Sequence, residues 1–389
     1  MCGALLRLPL PQREGSFLRP ATLVTSDSLL ARLCTRWSGL THIAVDTEFE
    51  RSTTFFARPA LLQVADGADH YLIDPLEITD FAPFLALLGS IRPTKVIHAC
   101  SEDLQVFERL GTVVPVGIFD TQVAAAFLGH GYATAYRTLV MDVMGVDIPK
   151  QETRSDWLRR PLSPAQSEYA VLDVAHLLPI HALQMHALAA CDRGAWVEEE
   201  CARLVEQGKY NADAANAYKR IGQAWQLERR NLAVLRAVCA WREHEARTRD
   251  VPRSRVATNE ALFSISRHAP CDVDALRALE ALKNREHRRS AATIVRIVNR
   301  VMSLGDEHLP EALPRPSDLD RYRERLRALK CAVKHKADAL GIAPESLARG
   351  RALEALVRHA LIEHRKDLPP YFSGWRENVI GAELLAMLH

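Results

Sequence analysis

Two styles of hydrophobic patterning divide the chain near residue 210. Before it, short apolar runs rich in β-formers alternate with stretches of helical periodicity. His42–Val45, Ala60–Ala65, His70–Ile73 and Lys95–Ala99 read as strands. The first three lie close together, with the turn residues Asp66-Gly67-Ala68-Asp69 between the second and third, which predicts antiparallel pairing through tight connections. Helices are expected at Ala82–Leu88, after Ser101 as N-cap, and at 120–128, 136–144 and 163–188, the last opened by Ser163 and Pro164. Strands interleaved with helices predict a mixed sheet flanked by helices. After 210 strand-like runs all but vanish and helical spacing takes over, as in Leu227, Leu232, Leu235, Val238 and Trp241. Proline-rich breaks fall at Leu309–Pro316 and Asp367–Pro370. The expected organisation is an N-terminal extension (1–19), an α/β domain (20–210) and two all-α modules (222–305 and 317–389).

Composition fits soluble, packed domains: of 389 residues, 48% are hydrophobic and 25% charged. The net charge of +2 hides an asymmetry. Residues 1–210 carry 18 Lys+Arg against 25 Asp+Glu, and residues 211–389 carry 32 against 23. An acidic half joined to a basic half needs a reason. The eight cysteines form no C-x-x-C pair and sit at no zinc-finger spacing, so reduced thiols in a cytoplasmic protein are expected. The apolar start at Met1–Pro11 is broken by Arg7 and prolines and does not read as a signal peptide. No run approaches the length of a membrane span. Neither a P-loop nor G-x-G-x-x-G occurs, which disfavours ATP-driven and dinucleotide chemistry.

Three acidic features stand out. Ile43-Ala44-Val45-Asp46-Thr47-Glu48-Phe49-Glu50 is an apolar run that ends abruptly in acids. Residues two apart on a strand share a face, so Asp46 and Glu48 project together. Paired carboxylates repel unless a cation lies between them, and hard oxygen ligands suit Mg²⁺ or Mn²⁺. A polar strand end in solvent would carry the same residues. Asp103 lies in the first turn of the helix after His98-Ala99-Cys100-Ser101, where an acid also complements the helix dipole. Tyr169 and Asp173 are four apart on the helix beginning near Ser163, hence on one face.

In combination, these features resemble the DEDD superfamily of 3′→5′ exonucleases, in its tyrosine-bearing DEDDy subgroup. A-L-L-Q-V at Ala60–Val64, Y-L-I-D-P-L at Tyr71–Leu76, H-A-C-S-E-D-L at His98–Leu104, F-D-T-Q at Phe119–Gln122 and R-S-D-W-L-R-R-P-L at Arg154–Leu162 extend the likeness. The set looks most like the ribonuclease D family, whose nuclease domain is followed by helical HRDC domains. W-Q-L at Trp225–Leu227 resembles the start of one, and the last 72 residues look like a second, more divergent one. Cys100 departs from the glycine frequent at that place, which touches local packing and not Asp103.

The resemblance implies a ribonuclease H-like fold and two-metal hydrolysis of phosphodiesters. Asp46 would bridge two divalent ions (Mg²⁺ or Mn²⁺), Glu48 and Asp173 would complete one site, Asp103 would serve the other, and Tyr169 would orient the attacking water. The products would be 5′-mononucleotides and an RNA shortened at its free 3′ end, with tRNA precursors the implied substrates. The basic half can supply phosphate contacts, Arg285–Arg289 and Arg321–Arg327 being candidates. Phe49, Phe55 and Phe56 could stack on terminal bases or pack in the core. Arg154, Trp157 and Arg160 match a segment near the active-site rim in the family, and Asp120 and Asp156 stay outside the ligand set. No coiled-coil heptads are evident, no membrane partner is expected, and a monomer is the expectation. A DNA-directed repair exonuclease and a non-catalytic RNA-binding scaffold are the rival readings.

Overall fold

The computed structural model describes residues 20–149, 155–211, 214–282 and 284–389. The expected extension at 1–19 lies outside them, as does Arg154. Six strands form one mixed sheet: β1 (Thr22–Val24), β2 (His42–Glu50), β3 (Arg58–Ala65), β4 (His70–Ile73), β5 (Thr94–Ile97) and β6 (Ile118–Asp120), in the order β1-β4-β3-β2-β5-β6. The β2–β3 and β3–β4 pairs are antiparallel, as their short connections predict, and β1–β4, β2–β5 and β5–β6 are parallel. At three residues each, β1 and β6 are too short to show a period in the sequence.

Eight helices accompany the sheet: α1 (Asp27–Ser38), α2 (Ala82–Leu88), α3 (Asp103–Leu110), α4 (Thr121–Phe127), α5 (Tyr136–Met144), α6 (Pro164–Ala175), α7 (Leu177–Ala190) and α8 (Gly194–Asn211). One face of the sheet buries Ile43, Val45, Leu62, Val64 and Ile73 against Leu30, Trp37, Phe84 and Phe107. On the other face Leu61 and Leu72 pack against Trp157, Ala170 and Val171. The single helix expected over 163–188 is two. It breaks at His176, three residues before Pro179, whose missing N–H is tolerated only in a first helical turn.

The chain forms two compact units. One holds the sheet, the residues up to Gly208 other than 51–57, and Arg321–His389; the other holds Arg51–Ala57 and Lys209–Asp320. The last helices, including α14 below, therefore join the sheet unit and do not form a third body. Trp375 stacks on Trp196 of α8 (centroids 4.7 Å apart), Arg376 pairs with Glu200, and Arg203 donates to the Tyr371 carbonyl at 2.9 Å. A Cβ at Gly129, where φ is +87°, would lie 2.7 Å from the Gly341 carbonyl oxygen, so glycine is required at this approach.

In the second unit the helices are α9 (Arg229–Thr248), α10 (Arg253–Val256), α11 (Asn259–His268), α12 (Val273–Ala278) and α13 (Asn284–Met302). Their core is Leu232, Leu235, Val238, Leu262, Ile265, Ile294 and Val298. α14 (Arg323–Leu340) opens the C-terminal helices of the sheet unit. Among the described residues, no helix is long and apolar enough to cross a membrane.

Candidate active site

β2 runs on past the predicted Val45 to Glu50, carrying Asp46 and Glu48 opposite Gln63 and Leu61 of β3. A bulge between Glu48 and Phe49 then ends the regular register. The two acids share the face of the sheet that α6 covers, because Leu61 belongs to the cluster under that helix.

α6 brings the next pair. Ser163 caps it in a complete capping box: its hydroxyl accepts from the Gln166 N–H at 3.1 Å, while the Gln166 side chain accepts from the Ser163 N–H at 2.9 Å. Tyr169 and Asp173 sit one turn apart on the same face of α6, close enough for each to shift the other's proton affinity. Ligand oxygens of Asp46, Glu48 and Asp173 all lie within 4.8 Å of one another.

Asp103 is delivered by a turn that differs from the one the sequence predicts. Ser101 is not the N-cap; α3 starts at Asp103 with Glu102 in the cap position. The cause is Asp120, whose carboxylate accepts from the N–H groups of Ala99 (3.0 Å) and Cys100 (2.9 Å) while capping α4 through Gln122 (2.8 Å). Ala99 is held at φ 59°, so the chain turns before it can enter the helix. Asp120 is thus spent on backbone donors, in agreement with its exclusion from the ligand set. The buried Asp103 carboxylate accepts from the Thr47 hydroxyl at 2.6 Å.

The four carboxylates repel. Burial first, then the charges of Asp103, Asp173 and Glu48, push Asp46 well above the usual carboxylate range. Glu48 is pushed up to about 8 by burial and by Asp173 and Asp103. Burial raises Asp103 and Asp173 to about 7 each, against lowering hydrogen bonds from Thr47 and Tyr169. Tyr169 is driven up by burial and by Asp173, so its phenol stays protonated. Clustered acids that repel in this way are a site suited to cations.

Residues that sequence reasoning missed surround the acids. The Tyr136 hydroxyl donates to the Leu172 carbonyl at 3.2 Å and accepts from the His176 N–H at 3.3 Å, holding the end of α6 beside Asp173. His98 bridges Thr121 (2.9 Å) and the Thr134 carbonyl (3.0 Å). Nothing in a single sequence marks these contacts, because each joins residues more than twenty positions apart.

Other expectations need correction. Phe55 does not offer a ring for base stacking. It is buried in the core of the helical unit, with Arg247 and Arg253 over its face and Phe56 at its edge, 4.8 Å between centroids. Phe56 packs partly buried against the same core. Phe49 alone of the three is half-buried on the sheet, just past the bulge. Arg160 makes an ion pair with the buried Asp74 and donates to the carbonyls of Ala60 (2.6 Å), Trp157 (2.8 Å) and Arg159 (2.9 Å). Trp157 is buried with its ring 5.9 Å from that of Tyr169. Both are framework residues behind the tyrosine.

Comparison with known proteins agrees with this architecture. Residues 21–185 match a family described as 3′-5′ exonuclease, and residues 231–298 match the HRDC domain. Ribonuclease D of Pseudomonas paraeruginosa is 39% identical over 365 residues, covering 94% of this chain and 96% of the relative. The chain belongs to the ribonuclease D family. Ribonuclease D of Escherichia coli is 35% identical over 371 residues, covering 94% of this chain and 98% of the relative. The crystal structure of Escherichia coli RNase D, described as an exoribonuclease involved in structured RNA processing, superposes with a TM-score of 0.88 over 95% of this chain and 98% of that one, at 34% identity. Family and exonuclease domain together make this chain a 3′→5′ exoribonuclease, a phosphodiester hydrolase. An exonuclease domain of this type implies dependence on divalent metal, and the acid cluster fits that need.

Proposed function

We propose that the chain trims RNA from its 3′ end, one nucleotide at a time, at a centre in which Asp46, Glu48, Asp103 and Asp173 hold two divalent ions, Mg²⁺ or Mn²⁺. The observation that carries this is the convergence of mutually repelling carboxylates, Asp103 buried and the others half-buried, with three ligand oxygens inside 4.8 Å. Asp46 stands among the other three acids and would be the ligand common to both ions. Glu48 and Asp173 would complete the hold on one ion, and Asp103 would hold the other. When bound, the ions supply Lewis acidity that stabilises the attacking and leaving oxygens of the phosphodiester. The protein residues do the rest. Thr47 orients Asp103, and Asp120 fixes the turn that delivers it. Tyr169 keeps its proton, so it acts as a hydrogen-bonding group that orients the attacking water and not as the base. Phe49 is the remaining candidate to stack on the terminal base. The products are 5′-mononucleotides and an RNA ending in a 3′-hydroxyl, and precursors of tRNA and other structured RNAs are the substrates. The protein works as a cytoplasmic monomer, and its C-terminal helices are a second, divergent HRDC-like module.

Replacing the phenol hydroxyl with hydrogen, Tyr169→Phe, is expected to lower kcat by about 10²-fold or more, the range of a positioned proton-handling group. Single-turnover rates with the protein shown to be folded would check this. An unchanged rate would leave Tyr169 a packing residue.

Affinity has a separate source. α14 exposes Arg327, Lys330 and Lys334 at helical spacing, on one face. Changing all three to glutamine is expected to make the log–log salt dependence of RNA binding shallower by about 2, at roughly 0.7–0.9 for each phosphate no longer neutralised. The single-turnover rate at saturation should hold. An unaltered salt slope would remove this face from the RNA path.

The direct test is a time course on RNA labelled at its 5′ end with an unpaired 3′ tail, run with Mg²⁺, with Mn²⁺ and with chelator. A ladder shortening by single nucleotides, lost with chelator, is the expected result. Intact RNA under every metal condition, from folded protein, would favour the non-catalytic RNA-binding scaffold. Preferential loss of a matching DNA would favour the repair exonuclease.

A further inference from the structure

β3 is apolar through its middle except at one place. Leu62 and Val64 turn into the core on the face away from α6. Between them Gln63 turns the other way and is wholly buried. Neither its amide nitrogen nor its carbonyl oxygen has a protein partner among the described residues. A buried amide with both ends unpaired is costly and rare, because it has given up water and received nothing in exchange.

Its position explains what it is for. Across β2 it stands directly opposite Asp46, and across β4 directly opposite Leu72. Side chains at such cross-strand positions lie side by side on one face. That face carries Asp46 and Glu48 and is covered by α6, the helix of Tyr169 and Asp173. The unpaired amide therefore lies on the floor of the carboxylate centre, next to the acid with the most acidic neighbours.

We propose that Gln63 is a positioning residue for the metal centre: its amide N–H group, without a protein partner in the metal-free chain, donates to the Asp46 carboxylate through one ordered water once ions are bound, and fixes which oxygen Asp46 presents to them. The inference rests on the metal-binding reading above. A glutamine suits the task better than a cation would. A lysine or arginine here would neutralise Asp46 and compete with the ions, whereas an amide donates a hydrogen bond and adds no charge. Ligating carboxylates held by a second hydrogen bond are a recurrent feature of metal sites, and loss of such a partner weakens metal binding by about 10–100-fold.

The test compares Gln63→Met and Gln63→Leu with the wild type, both apolar replacements that differ in shape, so that one misfolded variant does not end the experiment. Mn²⁺ affinity of the chelator-stripped full chain is measured by titration, beside the thermal midpoint without metal. The expected result is Mn²⁺ binding weakened by about 10–100-fold, with a metal-free midpoint equal to or above that of the wild type, since no satisfied bond has been removed. At saturating Mn²⁺ the rate should recover towards the wild-type value. Wild-type Mn²⁺ affinity in either folded variant would overturn the proposal. So would a lowered metal-free midpoint with unchanged Mn²⁺ affinity, which would make Gln63 a framework residue. Asp46→Asn runs alongside: if it too binds Mn²⁺ normally, the metal-site reading itself fails, and that outcome is distinct from failure at Gln63 alone.

Discussion

Asp46→Asn is expected to end RNA hydrolysis, with a loss of more than about 10³-fold, while making the metal-free protein more stable. Both effects have one cause. Asp46 faces Asp103, Asp173 and Glu48, and in the proposed two-ion centre it would be the ligand common to both ions. An amide keeps the shape and removes the charge, so the proposed ions would lose a common ligand and the transition state more than the 10²–10³-fold carried by one stabilising donor. The same change relieves repulsion in the empty cluster. Glu48 is raised to about 8 and Asp103 and Asp173 to about 7 in the folded chain, above their ordinary carboxylate values near 4. Between those limits the folded state holds more protons than the unfolded one, so metal-free wild type should lose stability as pH rises from about 4 to about 8. Asp46→Asn should flatten that slope and raise the midpoint at pH 8, by about 2–4 °C for each kcal/mol of repulsion removed. Added Mg²⁺ should stabilise the wild type most at pH 8, where the acids are ionised, and should leave Asp46→Asn unmoved. Thermal melts with chelator and with Mg²⁺ across this range, beside an RNA time course, measure all of it. Turnover near the wild-type rate would sink the two-metal assignment.

The second large effect lies outside the acid cluster. Arg160→Met should destabilise the protein by about 3–5 kcal/mol, because it strips the partner from a buried charge. Asp74 is 2% exposed, and Arg160 meets both of its oxygens while satisfying the Ala60, Trp157 and Arg159 carbonyls. The midpoint should fall by roughly 6–20 °C. Pairing the change with Asp74→Asn should recover part of the loss, since no buried charge is then left alone. Turnover should fall as well, because the Arg160 loop carries Trp157, which backs the Tyr169 ring. Chemical denaturation of the single and double variants checks the energetics. A loss below about 1 kcal/mol, together with weakened RNA binding, would overturn the clamp and make Arg160 a substrate contact.

The acids were legible because their chemistry is local. D-x-E places two carboxylates on one face of a strand, and Y-x-x-x-D places a phenol and a carboxylate on one face of a helix, whatever surrounds them. The residues that aim those acids were not. Asp120 looked like a spare acid until its four-way hold on backbone N–H groups, at Ala99, Cys100, Gln122 and Val123, appeared. Ser101 had the right residue type for a cap, but that hold turns the chain first. Arg160, matched only to a segment near the rim, serves as a charge clamp, and Phe55, open between stacking and core, is a core residue.

By itself, the sequence determined the mixed α/β class, the antiparallel run through β2, β3 and β4 and the helical second half, and it named Asp46, Glu48, Asp103, Tyr169 and Asp173 as the candidate centre. These follow from periods of two and of 3.6 residues and from short motifs, which are properties of neighbouring positions. Only the tertiary structure decided that the acids on β2, α3 and α6 converge, that their charges raise one another's proton affinity, that Arg321–His389 joins the sheet unit, and that Gln63 lies buried and unpaired beside Asp46. Those facts depend on burial and on contacts between residues far apart in the chain, where the cost of an unpaired charge or amide is set by its surroundings and not by its neighbours in sequence.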